Sequence, residues 1–194
     1  NNSITNTGNE HNYYNNYTQN SGIYISPTNS ANINIVSNVI DNAGSWGMYL
    51  NQTVGRIDSN IVKHSGYGGI HLSGSFNYPA LDTLKYNTIT GSDTALSSWD
   101  NEMYPDGGCG IYNNSYSNPV INYNNLIDNE RYEIYNNSDK SVYSEINCKY
   151  NFWGSVTNAE IAAGDNPLKN LTRIYDEYDN SLKGWVNYGG YKPE

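Results

Sequence analysis

The chain is short of the residues on which many functions depend. Two cysteines, Cys109 and Cys148, are too few for a disulfide framework or a zinc site. Ten Lys and Arg against 19 Asp and Glu, with no basic cluster, argue against nucleic acid and anionic lipid as partners. The net charge of −9 would also repel a polyanionic substrate over most of the surface. No run of apolar residues is long enough for a membrane helix, so no membrane insertion is expected. Nine leucines are too few for a leucine-rich horseshoe. The dipeptide Asn-Gly is absent despite 34 Asn and 18 Gly, which disfavours an antiparallel meander built on two-residue hairpins. With neither an initiator Met nor a basic-then-apolar leader, the sequence reads as a processed mature chain or as a piece of a longer one.

What is abundant is neutral and polar. The 34 Asn, 20 Ser and 11 Thr suit hydrogen bonding to neutral partners such as sugars, and 20 Tyr and 4 Trp supply large side chains to bury. Ile, Val, Leu and Phe number only 36 in 194 residues, close to a disordered composition. Their register decides for a folded chain. Six N-glycosylation sequons, at Asn1, Asn16, Asn51, Asn113, Asn136 and Asn170, are about what this composition gives by chance.

A repeat organises the sequence. Ile35-x-x-Asn38-x-Ile40 recurs as Ile57-x-x-Asn60-x-Val62, Leu84-x-x-Asn87-x-Ile89, Ile121-x-x-Asn124-x-Leu126 and Cys148-x-x-Asn151-x-Trp153, with Asn2-x-Ile4 as a partial copy. Between these lie Gly-Ile23-Tyr24-Ile25, Gly-Met48-Tyr49-Leu50, Gly-Ile70-His71-Leu72, Gly-Ile111-Tyr112-Asn113 and Glu-Ile134-Tyr135-Asn136. Short strands of period two, with Gly and Asn between them and no helical period, predict a solenoid of stacked β-coils. Each coil is too short to bury its own apolar face. Ile23, Met48, Ile70, Ile111 and Ile134 must therefore stack in one inward column, and Ile35, Ile57, Leu84, Ile121 and Cys148 in another. Asn38, Asn60, Asn87, Asn124 and Asn151 are expected as a hydrogen-bonded ladder at a bend, where Asn tolerates left-handed backbone. Longer spacings place insertions at about 6–20 and 91–108, within a coil region at 1–154.

These repeats resemble the right-handed parallel β-helix superfamily, the pectate-lyase-like fold, and within it the secreted and surface repeat proteins. The closing segment adds to the likeness: Asn151-Phe152-Trp153-Gly154, Ile174-Tyr175-Asp176-Glu177-Tyr178-Asp179, Gly184-Trp185-Val186-Asn187-Tyr188 and Pro193 follow the superfamily's last-coil pattern. Gly189-Gly190-Tyr191-Lys192 makes the approach to the proline longer than usual. The resemblance implies an all-β right-handed parallel β-helix of about six coils and an extracellular or cell-surface location. It does not fix a function, because this fold carries lyases, hydrolases, epimerases, binding modules and inert stalks. Residues 155–194 read as a C-terminal capping segment, with Thr157-x-x-Glu160 as a capping box for a short helix.

The candidate chemistry is sparse. Asp100, Glu102 and Asp106 in the second insertion are the candidate calcium ligands, with a solvated acidic loop tip as the alternative; no other cofactor is expected. Asp176, Glu177 and Asp179 read as structural residues of the cap. His11, His64 and His71 show no metal spacing, and Cys148 reads as a small buried hydrophobe. The sharper feature comes from strand alternation: if the Ile23 column points inward, Tyr24, Tyr49, His71, Tyr112 and Tyr135 point out on one exposed face. These rings either stabilise the sheet or form a platform for sugar rings, walled by Trp99 and Tyr104 and by Tyr13, Tyr14 and Tyr17. The expected function is therefore a non-catalytic structural or adhesive module that binds polysaccharide or associates head-to-tail with copies of itself. A polysaccharide-active lyase, hydrolase or epimerase of the same fold is the alternative; no catalytic residue is identified.

Overall fold

A computed structural model of the chain describes residues 2–5, 20–93, 107–164 and 170–192. Seventeen strands among them form three parallel sheets. Sheet A contains β1 (Ser3–Thr5), β4 (Val39–Asp41), β7 (Ile61–Lys63), β10 (Thr88–Thr90) and β13 (Asn125–Ile127), in that order. Sheet B runs β2 (Ile23–Ile25), β5 (Trp46–Asn51), β8 (Gly68–Ser73), β11 (Cys109–Asn113), β14 (Tyr132–Asn136) and β16 (Ile174–Tyr175). Sheet C runs β3 (Ala31–Val36), β6 (Thr53–Asp58), β9 (Thr83–Lys85), β12 (Val120–Asn122), β15 (Glu145–Asn147) and β17 (Trp185–Asn187). The chain visits B, then C, then A, and each strand from β1 to β12 pairs with the one three places later; in the last layer no strand among the described residues is added to sheet A, so β14 pairs with β16 and β15 with β17. This arrangement is consistent with a parallel β-solenoid. The one described helix, α1 (Gly154–Ala162), follows Phe152, whose backbone bridges to Asn125 at the edge of sheet A.

The two inward columns read from the repeat are in register. Ile23, Met48, Ile70, Ile111 and Ile134 pair in succession along sheet B and are continued by Ile174. Ile35, Ile57, Leu84 and Ile121 do the same in sheet C. Sheet A supplies a third column of Ile40, Val62, Ile89 and Leu126, each fully buried. All belong to one core with Cys148, which is buried and unbonded, and burial raises its thiol pKa well above the ordinary value. The partial copy at the N-terminus also fits: Ile4 pairs with Ile40, and the Asn2 amide donates to Asn38 Oδ1.

The asparagine ladder is continuous. Asn38, Asn60, Asn87 and Asn124 each donate a backbone N–H and a side-chain N–H to Oδ1 of the next asparagine, ending at Asn151, at 2.8–3.1 Å. The side-chain amides of Asn60, Asn87, Asn124 and Asn151 also donate to Ile35, Ile57, Leu84 and Ile121 carbonyls. One expectation fails here. The left-handed residue is not the asparagine but the one before it: Ser37, Ser59, Tyr86, Tyr123 and Tyr150 have φ of 56–62°. The left-handed step turns the chain out of sheet C and leaves the following asparagine pointing inward, along the stack.

Glycine before the sheet B motif has a steric cause. A methyl on Gly69 would come within 2.3 Å of the Gly110 carbonyl oxygen and 2.4 Å of Ile89 Cγ2. At Gly22, Gly47 and Gly110 a methyl would come within 2.8 Å of a carbonyl oxygen of the next layer. Glu133 occupies this position in the next layer, buried, with its Oε2 accepting from Asn129 Nδ2 at 2.5 Å.

The cap differs from the expectation in detail. Helix α1 starts at Gly154 with Trp153 as N-cap and no side-chain cap, so Thr157 and Glu160 lie inside the helix and form no capping box. Glu160 instead holds Thr172, through its backbone N–H and its hydroxyl. Beyond the helix, β16 and β17 extend sheets B and C. Asp176 fixes that closing layer, accepting from the N–H groups of Tyr178 at 3.0 Å and Val186 at 2.9 Å.

Candidate functional site: two aromatic columns

Sheet B carries one unbroken column of rings. From Tyr24 to Tyr49, His71, Tyr112 and Tyr135, centroids are 4.4–5.4 Å apart and planes tilt by 11–37°. Tyr175 extends the column, 4.1 Å from Tyr135 and nearly parallel to it. Its position was legible, since Ile174-Tyr175-Asp176 repeats the pattern of Ile134-Tyr135-Asn136.

The column is not the exposed face expected of it. Tyr24 is 52% exposed, but His71, Tyr112 and Tyr135 are only 6–7% exposed. A second aromatic layer covers part of it. Trp46 meets His71 edge-on at 5.0 Å, Tyr67 meets Trp46, and Tyr132 meets both Tyr135 and Tyr175. Gly68 makes room for this layer, because a methyl there would come within 2.2 Å of the Trp46 ring. Burial holds the His71 imidazole neutral, with its pKa pushed down to about 3. Burial and the neighbouring phenols raise the Tyr135 pKa.

Spacing limits what the column can bind. A sugar ring sandwiched between two aromatic rings needs about 7 Å, two van der Waals separations. Neighbours at 4.1–5.4 Å leave no such gap, so the stacked rings consume one another's faces. Tyr24 keeps a face outside the stack; Tyr49, Tyr112 and Tyr135 act as packing.

A second column, not anticipated, stands at the corner between sheets C and A. Tyr86, Tyr123 and Tyr150 stack with centroids 5.7 and 5.3 Å apart. Tyr86 and Tyr150 are exposed, and Lys192 Nζ lies 5.2 Å over the Tyr123 ring. The signal was there in Tyr86-Asn87, Tyr123-Asn124 and Tyr150-Asn151, a tyrosine before each of three consecutive ladder asparagines.

Charged groups are dispersed. Asp41 accepts from His64 at 2.9 Å and pairs with Lys63 at 3.0 Å, and these bonds, His64 first, hold its pKa below the ordinary value. Burial pulls Asp58 up, but bonds from Arg56 and Ser59 outweigh it and leave its pKa lowered. Glu177 pairs with Lys140, and Glu145 accepts from Asn187. Asp82 is buried beside Thr53, whose hydroxyl donates to it at 2.6 Å, and burial raises its pKa to about 6. Burial likewise raises Asp176 to about 6 and Glu133 to about 7. Among the described residues no group of three or more His, Cys, Asp or Glu could hold a metal ion. Trp99, Tyr104, Asp100, Glu102 and Asp106, together with His11, Tyr13, Tyr14 and Tyr17, lie outside the described residues. Comparison with protein-family models, with curated proteins and with solved structures finds no match to this chain.

Proposed function

We propose that the chain is a non-catalytic extracellular module, structural and adhesive, built as a right-handed parallel β-helix of about six coils with a C-terminal cap. The observation that carries this reading is the use made of the carboxylates. Asp41, Asp58, Glu145, Glu160 and Glu177 are each held by a neighbouring side chain, and Asp176 by two backbone N–H groups. A lyase needs an acidic metal cradle beside a base, and a glycosidase needs two carboxyl groups facing across a bond. Carboxylates engaged in this way by neighbouring side chains and backbone serve the scaffold instead.

Glycan is the partner favoured over a second copy. Ile174, Val186 and Tyr188 in the last layer are 0–2% exposed, so that end offers little apolar surface to a neighbour. Ile23, Ile25 and Ile33 at the other end are only partly buried, and the two ends do not match. The rest of the surface is rich in neutral hydrogen-bonding groups.

Incubation with a panel of neutral and uronic-acid polysaccharides tests the reading. The chain is expected to co-sediment with at least one insoluble polysaccharide while releasing neither reducing ends nor unsaturated uronate products. Product release from any member of the panel would establish the enzyme alternative.

A further inference from the structure

We infer that the exposed face of Tyr86, with the step formed by Ser59 and Ser37, is a stacking site for one pyranose ring of a neutral glycan; the inference rests on the adhesive reading above. Layer by layer, the corner before the asparagine ladder carries Ser37, Ser59, Tyr86, Tyr123 and Tyr150, all with left-handed backbone at φ of 56–62°. This conformation suits glycine and asparagine and is costly for bulky side chains. Three successive tyrosines carry this backbone cost, and their rings stack on one another.

The stack of three ends at Tyr86. Asp58 and Lys85 are in register, so Ser59 stands directly across from Tyr86 in the neighbouring layer, and Ser37 stands in the layer beyond. Neither serine carries a ring. The Tyr86 face on that side is open, and the residue is 58% exposed. Two layers without a ring leave a step roughly 9–10 Å high, ample for a sugar ring lying about 4 Å above the phenol.

The rim selects the ligand. Asp58 is held by Arg56 and by the Ser59 hydroxyl, and Lys85 faces Asp58 across the register. Asp58 itself is buried and occupied, so a pyranose brings an apolar C–H face for Tyr86 and a fringe of hydroxyls for the Arg56 guanidinium, the Lys85 ammonium and the serine hydroxyls around it. An aromatic peptide side chain would use only the ring. A uronate, though it could pair with Arg56 or Lys85, would meet a chain of net charge −9.

The test is a nuclear magnetic resonance titration that follows the Tyr86 ring. The probes are hexamers of β-1,4-glucan, β-1,4-mannan and N-acetylchitin, with hexagalacturonate and a tyrosine-containing peptide as comparators. At least one neutral hexamer is expected to shift the Tyr86 ring saturably. Tyr86→Ser should weaken that binding at least tenfold and keep the fold, since serine is the residue this chain places on the same backbone at positions 37 and 59. Phe76→Ser, on a separate exposed loop, should leave binding unchanged. Binding that survives Tyr86→Ser would overturn this site and leave the adhesive reading standing. Absence of binding to all three neutral hexamers would overturn both, and preference for hexagalacturonate or the peptide would overturn the ligand class.

Discussion

Asn87→Ala is expected to cost about 4 kcal/mol of stability, a large share of what a domain of this size has in reserve. Asn87 sits at the centre of the ladder. Its Oδ1 accepts from the Asn60 backbone N–H at 2.9 Å and side-chain N–H at 3.0 Å, and its own amide donates to the Ile57 carbonyl and to Asn124 Oδ1, both at 2.9 Å. Alanine removes all four bonds and supplies nothing in their place. The Asn60 N–H and Ile57 carbonyl are then left unpaired in a fully buried site, at about 1–3 kcal/mol for each orphaned group. Asn2→Ala is the matched control, because Asn2 is exposed and, among the described residues, its side chain makes one 3.2 Å bond at the ladder's end. Urea denaturation should move the Asn87→Ala midpoint far down at constant slope and leave Asn2→Ala within about 0.5 kcal/mol of the parent. Equal effects from the two substitutions would mean that the ladder is not a continuous network.

Stability should rise on acidification from about pH 7.5 to about pH 4.5. Asp82 and Asp176 have native pKa values raised to about 6 and Glu133 to about 7, with burial the first cause in all three. A carboxyl raised above its unfolded value takes up its proton in the native state first. Its contribution is fully present below the unfolded pKa and is lost as pH climbs through the native one. His71 opposes this. Its native pKa is pushed down to about 3, so between about pH 6.5 and 3 the unfolded chain binds a proton that the native chain refuses. Three carboxyls against one imidazole leave a net native uptake of protons near pH 5, and a gain of a few kcal/mol. Below pH 4 the balance reverses, as the unfolded chain protonates Asp41, Asp58 and Asp139, whose native pKa values are lowered, while His71 still resists. Thermal unfolding across pH 3–8 should therefore show a maximum near pH 4–5. A monotonic fall from pH 7.5 downward would show that these carboxyls are not buried as described.

The fold was legible because side-chain period and repeat length act together. Ile70 and Ile111 had to point the same way once their motifs were aligned, and a coil too thin to bury Ile70 alone needs the next coil's Ile111. The ladder was legible for a similar reason, since an asparagine repeated at one layer position can bond to its own copy. Two features were misread from local preference. Asn is common in left-handed backbone, so the bend was assigned to it, but the inward ladder uses the amide and the left-handed step falls on the preceding Ser or Tyr. Strand alternation sent His71 and Tyr112 outward correctly, yet outward is not exposed. Trp46 folds across the glycine at position 68 and covers the column, and nothing in a period of two reports that a side chain from one layer lies over the next. The helix was expected where it lies, but it starts with Trp153 as its N-cap, four residues before the Thr157 expected there; Thr157 and Glu160 fall inside it, and Glu160 reaches forward to Thr172.

The central claim is that successive motifs stack in parallel, in register, one layer apart. Cross-layer nuclear Overhauser effects in the isotopically labelled chain test it most directly. The account predicts contacts from the Tyr49 ring to the His71 ring and from His71 to Tyr112, and contacts from Ile57 to Leu84 and from Leu84 to Ile121. The Asn60 side-chain amide should contact Asn87. Strong Hα–Hα effects between neighbouring strands, the mark of antiparallel pairing, together with no contact between Ile57 and Leu84, would contradict it.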